Sequence, residues 1–258
     1  MRQLSIALML MLSLTACVST RQFADPQFLP PQGDYSLLVM RPDVSVGSVS
    51  AGGVVEPRAD WTETARGHVI DALRAQQAER GGEVRIVATR DDLPGVSPEE
   101  VASLERLHSA VGNSIALHHY YGYRLPNKRG QGLDYTLGEG ALELGRKTGH
   151  DYALFLHAED RIVGSGRAAL QVLGVAGCFI GFCAPTMGGG GQLAYASLVD
   201  LRTGEVVWFN ILTTGSQVAG VKFGDIRTRE GADQMVERLL GRMKPGKAMR
   251  KAGQGESR

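Results

Sequence analysis

Three cysteines are the residues of this sequence whose type and position point most directly to chemistry. Cys17 lies near the amino terminus, whereas Cys178 and Cys183 lie close together much further along the chain. A thiol can be lipidated, can form a disulfide or can bind a metal ion, depending on the compartment and on neighbouring ligands. The residues that precede Cys17 indicate the compartment.

Residues 1–16 have the composition of a secretory signal peptide. Arg2 provides a positive start, an apolar run extends from Leu4 to Leu14, and small residues precede Cys17. This run is shorter than the ~20 residues that a bilayer-spanning helix needs. We therefore expect the chain to be exported and residues 1–16 to be removed.

The junction Leu14-Thr15-Ala16-Cys17 resembles the lipobox of bacterial lipoproteins. In that family the signal is cleaved before the cysteine, the thiol is lipidated and the new amino group is acylated with palmitate-type chains. Several acyl chains together give stable membrane anchoring. Val18 stands where aspartate favours inner-membrane retention, so the resemblance implies an outer-membrane lipoprotein that faces the periplasm. The alternative is an ordinary secreted protein with a chance cysteine here.

Cys178 and Cys183 are separated by Phe-Ile-Gly-Phe, which could form a tight loop that brings the two sulfur atoms together. In an oxidising compartment this spacing favours a disulfide, but two buried free thiols fit it equally well. No Cys or His pair lies nearby in sequence to complete the four ligands of a zinc site. We therefore predict no metal site and leave both thiol interpretations open.

No catalytic motif is recognisable, so the sequence predicts a protein that is not an enzyme and uses no cofactor. The chain lacks a nucleophile elbow, a zinc-protease helix and a Walker loop, and the glycine run 188–191 lacks the lysine of a phosphate loop. His118 and His119 are adjacent on a predicted helix and point about 100° apart, which disfavours chelation of one ion. His150 and His157 have acidic neighbours but no nucleophile that the sequence ties to them.

The elements that position these residues alternate between strands and helices. Apolar runs predict strands at 35–40, 83–89, 150–158, 192–200 and 205–213. Helical spacing and capping residues predict helices at 60–80, 98–118, 135–148 and 228–242. This order predicts a single α/β (α+β) domain with a mixed, largely antiparallel sheet flanked by helices.

A hairpin signal joins the last two strands. Residues 197–208 read Ser-Leu-Val-Asp-Leu-Arg-Thr-Gly-Glu-Val-Val-Trp, and alternation places Val206 and Trp208 on one face, with Trp208 in the core. With the order of elements, this segment resembles a superfamily of bacterial envelope lipoproteins. Its members include the curli-secretion channel lipoprotein, the activator lipoprotein of penicillin-binding proteins and the amino-terminal domain of TolB. The resemblance implies a shared fold over residues 35–242.

An uncharged, glycine-rich tract extends from Ala168 to Val199. Over residues 168–187 we favour a buried or oligomer-forming hairpin and place a membrane-inserting hairpin second, because large apolar patches mark protein or membrane contacts. A transmembrane helix would have the right length, but its glycines and Pro185 disfavour it. The candidate contact residues are Phe179, Ile180 and Phe182.

The domain organisation follows from these segments. We expect the signal peptide at 1–16, a lipidated tether at 17–33, the globular domain at 34–243 and a disordered basic tail at 244–258. Loss of Arg2 leaves 27 basic and 27 acidic residues, a balance that argues against a nucleic-acid binder.

The function predicted is a non-enzymatic outer-membrane lipoprotein, a periplasmic scaffold or regulator that binds another envelope protein. An alternative is an oligomeric secretion- or channel-associated lipoprotein with residues 168–187 as a membrane-inserting hairpin. A third is an envelope hydrolase, which would require His, Asp and a nucleophile to gather in the fold. The identity of the partner and the formation of a homo-oligomer stay open.

Overall fold

A mixed sheet lies at the centre of the fold. The computed structural model describes residues 18–25, 27–31, 35–78, 83–123, 132–178, 190–214 and 224–241. Its strands are β1 (Val18–Ala24), β2 (Ser36–Val39), β3 (Asp43–Val49), β4 (Val55–Pro57), β5 (Glu83–Ile86), β6 (Tyr152–Val163), β7 (Gly191–Asp200) and β8 (Val206–Thr214). Its helices are α1 (Ala59–Ala78), α2 (Pro98–Ile115), a π-helical turn (Ala116–Tyr120), α3 (Gly138–Thr148), α4 (Ser165–Cys178) and α5 (Arg229–Leu240). The predicted fold class is confirmed.

Local sequence explains where the helices begin and end. Ser97 and Glu100 form a capping box at the start of α2, in which each side chain accepts a hydrogen bond from the other's backbone N–H. The Thr228 hydroxyl caps α5 by accepting from the Gly231 N–H at 3.1 Å. Gly149 ends α3 with a φ of 71°, in the left-handed region that glycine favours.

The sheet topology depends on β6, which is 12 residues long and changes partner along its length. Its first residues pair in parallel with β2, and its later residues pair in parallel with β3. On its other side β7, β8 and β1 follow in antiparallel order. Five strand ends therefore meet at one end of the sheet, which we call the Val18 end: Val18, Val49, Val163, Gly191 and Thr214.

Apolar side chains cover both faces of the sheet. One cluster lies under α1 and α5 and includes Trp208, and the other lies under α2 and α3 and includes Phe155 and Phe209. Trp208 is 0% exposed, and its indole N–H donates to Gln22 Oε1 at 2.8 Å. The prediction that Trp208 is a core residue on a strand covered on two sides is confirmed.

The prediction that Val206 and Trp208 share a face is wrong. Val206 packs in the cluster under α2 and α3, whereas Trp208 packs in the opposite one. The reason is a register shift between Leu198 and Val199, whose partners are Trp208 and Val206. The residue between them, Val207, is the extra residue of a β-bulge, which reverses the alternation of side chains.

The structure differs from the predicted tether over residues 17–33. Residues 18–24 are β1, which pairs with β8 along its whole length, from Val18↔Thr214 to Ala24↔Trp208. This pairing occupies the outer hydrogen-bonding edge of β8, an apolar strand that would otherwise be an exposed template for another chain. Thr20 adds a side-chain hydrogen bond to Asn210 Oδ1 at 3.2 Å.

The predicted hairpin over 168–187 is also wrong in its first part, because α4 extends to Cys178. Alanine and leucine favour the helix enough to outweigh the glycines. The other residues named from the sequence lie outside the described residues: Cys17, Phe179, Ile180, Phe182, Cys183, the signal peptide 1–16 and the tail 244–258. Among the helices that are described, none combines the length and the hydropathy needed to cross a membrane.

Candidate functional site

Two histidines that the sequence could not place gather where β6 changes partner. Asp43 and His157 face each other across β3 and β6, with 2.8 Å between Asp43 Oδ2 and His157 Nδ1. The His157 ring stacks on Tyr195, with ring centroids 4.7 Å apart. The hydrogen bond from His157 lowers the pKa of Asp43, which holds this carboxyl in its charged form.

His108 reaches the same region from α2. Its Nε2 lies 2.9 Å from Ser197 Oγ, and its ring stacks on Phe155. Burial lowers the pKa of His108 to about 3, so the ring is neutral near pH 7. Close packing of α2 here requires Gly112, because a Cβ at that position would lie 2.2 Å from Tyr195 Cε2.

These residues have the types of a catalytic triad without its geometry. Ser197 is bound to His108, whereas Asp43 binds a different histidine, His157. The Ser197 and His108 residues are 1% and 2% exposed, so a substrate cannot reach the hydroxyl. We interpret the His108–Ser197 pair as a buried polar contact that ties α2 to the sheet, whereas the Asp43–His157 pair joins β3 to β6.

The adjacent histidines His118 and His119, considered above as possible metal ligands, do not join this cluster. His118 Nδ1 contacts the backbone oxygen of Tyr123, and the His119 ring packs against Phe23 and Tyr135. In the part of the chain that the structure describes, no three His, Cys, Asp or Glu side chains are grouped so that they could hold a metal ion.

A groove of about 400 Å³ lies between α2 and α3. Most of its lining surface is apolar, and Leu107 in this lining is 40% exposed to solvent. The residues that line the groove are Val96, Glu99, Glu100, Ser103, Leu104, Leu107, Glu139, Gly140, Glu143, Leu144 and Lys147. A mostly apolar lining that also contains four glutamates and one lysine is suited to a partner that is both apolar and basic.

The charges of this groove are partly paired. Lys147 Nζ lies 2.7 Å from Glu100, and this hydrogen bond, with those of the helix cap, lowers the pKa of Glu100 to about 2. Arg146, beside the groove, pairs with Glu139 and Glu143. Glu99 makes no ion pair with any described residue, so its charge is available at the rim.

The amino-acid sequence alone does not reveal this groove. Glu99 and Glu100 lie in the first turn of α2, and acidic residues are common in the first turn of a helix because they interact favourably with the helix dipole. The available signal was the spacing of Glu139 and Glu143, four residues apart and therefore on one helical face. That spacing alone does not indicate that a second acidic helix packs alongside.

No protein-family model matches this chain, and no curated protein matches it. Among solved structures, the chain is similar to the PelC dodecamer from Paraburkholderia phytofirmans, at 16% identity, over 88% of this chain and 100% of that chain, with a TM-score of 0.35. It is also similar to lipoprotein GNA1162 from Neisseria meningitidis, at 16% identity, over 72% of this chain and 87% of that chain, with a TM-score of 0.28. Neither PelC nor GNA1162 is among the envelope lipoproteins that were named for the resemblance of residues 197–208. The assembly and the lipoprotein character in these names belong to those proteins.

Proposed function

We propose that this chain is a non-enzymatic, lipid-anchored protein of the outer membrane that acts as a scaffold or regulator by binding another envelope protein. The anchor is supported by the lipobox-like junction at residues 14–17. The binding role is carried by one observation, the acid-rimmed apolar groove between α2 and α3.

The residues that line the groove indicate which kind of partner it can bind. Leu107 and its apolar neighbours would bury the apolar face of a segment laid between the two helices, as in other helix-in-groove complexes. The glutamates at the rim, Glu99 foremost, would attract basic side chains on that segment and repel acidic ones. We therefore propose a basic amphipathic segment of an envelope protein as the ligand.

Site-specific photo-crosslinking in cells tests this proposal. A photoreactive amino acid at Leu107 is expected to capture a partner, whereas the same residue at the exposed Arg74 on α1 captures none. Mass spectrometry of the captured peptide should find a segment with net positive charge. Glu99→Lys should reduce capture severalfold, whereas the matched variant Glu56→Lys on the exposed strand β4 should leave it unchanged.

Two results would contradict the groove as the binding site. One is capture of a neutral or acidic peptide at Leu107, and the other is equal loss of capture in both charge variants. Melting curves of Glu99→Lys and Glu56→Lys establish that both variants are folded, which removes misfolding as an explanation.

A second candidate is the oligomeric secretion- or channel-associated lipoprotein. The observation that favours it is the exposed apolar surface of α4, where Leu170, Val172 and Leu173 are 54%, 69% and 66% exposed. Light scattering of the lipidated protein in detergent separates the two candidates. A particle of one uniform, multimeric mass supports the second candidate, and a monomer argues against it.

A further inference from the structure

We infer that the Val18 end of the sheet rests on the membrane surface and that α4 contacts the lipid interface with its exposed apolar side chains. The inference rests on the proposed lipidation of Cys17. It adds an orientation to that anchor and assigns a ligand, the bilayer interface, to a helix surface.

The first step is the position of the anchor. Val18 follows Cys17 directly, so their Cα atoms are about 3.8 Å apart. Val18 is also the first residue of β1, paired with Thr214 of β8. Because no free tether separates lipid from sheet, acyl chains on Cys17 would hold this end of the sheet at the membrane.

The end of β3 and the start of α4 lie at the same end of the sheet as Val18. From β1 across β8, β7 and β6 to β3 there are four strand spacings, or about 19 Å. Val49 at the end of β3 pairs with Val163 at the end of β6, and α4 begins two residues later at Ser165. The start of α4 is therefore within about 20 Å of the anchor, on the same side of the domain.

The third step is the exposed surface. Ten large apolar side chains are well exposed in the described part of the chain. Six of them lie at or near this end. Val54 and Val55 are in or beside the turn from β3 to β4. Tyr121 follows Tyr120, whose hydroxyl forms a hydrogen bond with the Thr213 hydroxyl of β8 at 2.7 Å. The six are Val54, Val55, Tyr121, Leu170, Val172 and Leu173. Exposed apolar side chains at the end of the sheet that carries the proposed lipid anchor fit a bilayer interface.

The composition and attachment of α4 also fit this position. The helix has 14 residues and is about 21 Å long, too short to span a bilayer. It contains no acidic residue, and its one charged side chain, Arg167, reaches back to the backbone oxygen of Ala51 at 3.4 Å. Its start is held against β3, because a Cβ on Gly164 would lie 2.9 Å from the Val49 oxygen. The apolar turns that follow can therefore lie along the interface.

Depth-dependent fluorescence quenching tests the orientation. The lipidated full-length mature protein is reconstituted into vesicles of phosphatidylethanolamine and phosphatidylglycerol whose acyl chains carry bromine, a quencher of indole fluorescence. Leu173→Trp places an indole on α4, and Leu107→Trp places a matched, solvent-exposed indole in the α2–α3 groove. The native Trp61 and Trp208 are common to both variants. We expect the brominated lipids to quench Leu173→Trp severalfold more strongly than Leu107→Trp.

The possible outcomes distinguish a failure of the proposed orientation from a failure of the proposed lipid anchor. If both variants float with the vesicles but are quenched equally, the orientation is overturned and the anchor stands. If neither variant floats, the lipidation of the proposed function fails, and the inference fails with it. If Leu173→Trp is unquenched and a dimer seen in detergent disappears with Leu173→Glu, α4 binds a second copy of the chain and the membrane contact is overturned.

Discussion

The two ends of the central sheet are built in opposite ways. At the Val18 end, apolar side chains of α4 and of the β3–β4 turn are exposed. At the other end, the hairpin end, the turn from Asp200 to Val206 is closed by its own polar groups. Arg202 donates to both carboxylate oxygens of Asp200, and Gly204 N–H donates to the Asp200 backbone oxygen at 2.7 Å.

This difference suggests that the hairpin end contributes to the stability of the fold, whereas the Val18 end is available for contacts with other molecules. The hairpin end satisfies its polar groups internally and packs against α3, where a Cβ on Gly145 would lie 2.8 Å from the Leu201 oxygen. The groove between α2 and α3 lies on this side of the domain, away from the Val18 end. We expect changes near the hairpin end to lower the free energy of unfolding, and changes at the Val18 end to leave it almost unchanged.

The largest expected loss of stability follows from Trp208→Ala. The indole is fully buried and hydrogen-bonded to Gln22, so its removal should lower the free energy of unfolding by about 3–5 kcal/mol. Urea unfolding measures the change. Trp61→Ala is the control, because Trp61 is only half-buried and packs against the guanidinium groups of Arg58 and Arg227, so its removal should cost clearly less. An unchanged stability of Trp208→Ala would refute the core assignment.

The next effect concerns His108, which holds α2 and its groove to the sheet. The pKa of His108 is about 3 in the folded protein, below the ~6.5 of an unfolded chain. Between these values the unfolded chain binds more protons, so stability falls as the pH is lowered through this window. At pH 4.5 this group alone should have removed about 2–3 kcal/mol of the stability present at pH 7.

His108→Gln separates this contribution from other titrating groups, such as Asp43. Urea unfolding at pH 7 and pH 4.5 should show a smaller pH-dependent loss in His108→Gln than in the natural protein. The pH 7 curves report separately what the replacement itself costs. An identical pH-dependent loss in the two proteins would show that His108 is not held neutral.

A smaller loss is expected for Gly204→Ala in the hairpin turn. Gly204 has a φ of 75°, and a Cβ there would lie 2.9 Å from the Gly138 oxygen, so alanine should cost about 1–3 kcal/mol. Gly67→Ala is the matched control inside α1, where a Cβ meets open space and alanine should stabilise by about 0.5–1 kcal/mol. Thermal melting that moves both variants in the same direction would contradict this description of the turn.

The smallest effect is expected at the Val18 end. Leu170→Glu combined with Leu173→Glu should change the free energy of unfolding by no more than about 0.5 kcal/mol, because both side chains are largely exposed. Chemical unfolding of the protein in detergent measures the change. A loss of several kcal/mol would mean that α4 packs against the domain and that the two ends are alike.

Features set by local sequence could be predicted, whereas features set by distant pairing could not. The start of α2 at Pro98, the start of α5 after Thr228 and the end of α3 before Gly149 follow from capping residues next to the helix. In contrast, β1 pairs with β8 nearly 200 residues away, as the Thr20–Asn210 hydrogen bond shows with a separation of 190. No local pattern in residues 18–24 identifies that partner.

The groove between α2 and α3 could not be predicted from the sequence for a related reason. Its rim combines glutamates of α2 and α3, and Glu100 and Lys147, which bond across it, are 47 residues apart. The helix α4 was missed because an uncharged run rich in Gly, Ala and Val has no periodicity that distinguishes a helix from a strand. The reversed alternation at Val206 depends on a bulge, which alternation rules applied to the sequence cannot include.

The central claim is that lipid on Cys17 fixes the Val18 end at the membrane, and the most direct test is mass spectrometry of the amino-terminal peptide from the outer-membrane fraction. We expect a peptide that begins at Cys17 and carries the mass of a diacylglyceryl group and an added acyl chain. We also expect Cys17→Ser to leave the precursor uncleaved or to release a soluble form. A mature peptide with an unmodified Cys17, or one that begins elsewhere, would contradict the account.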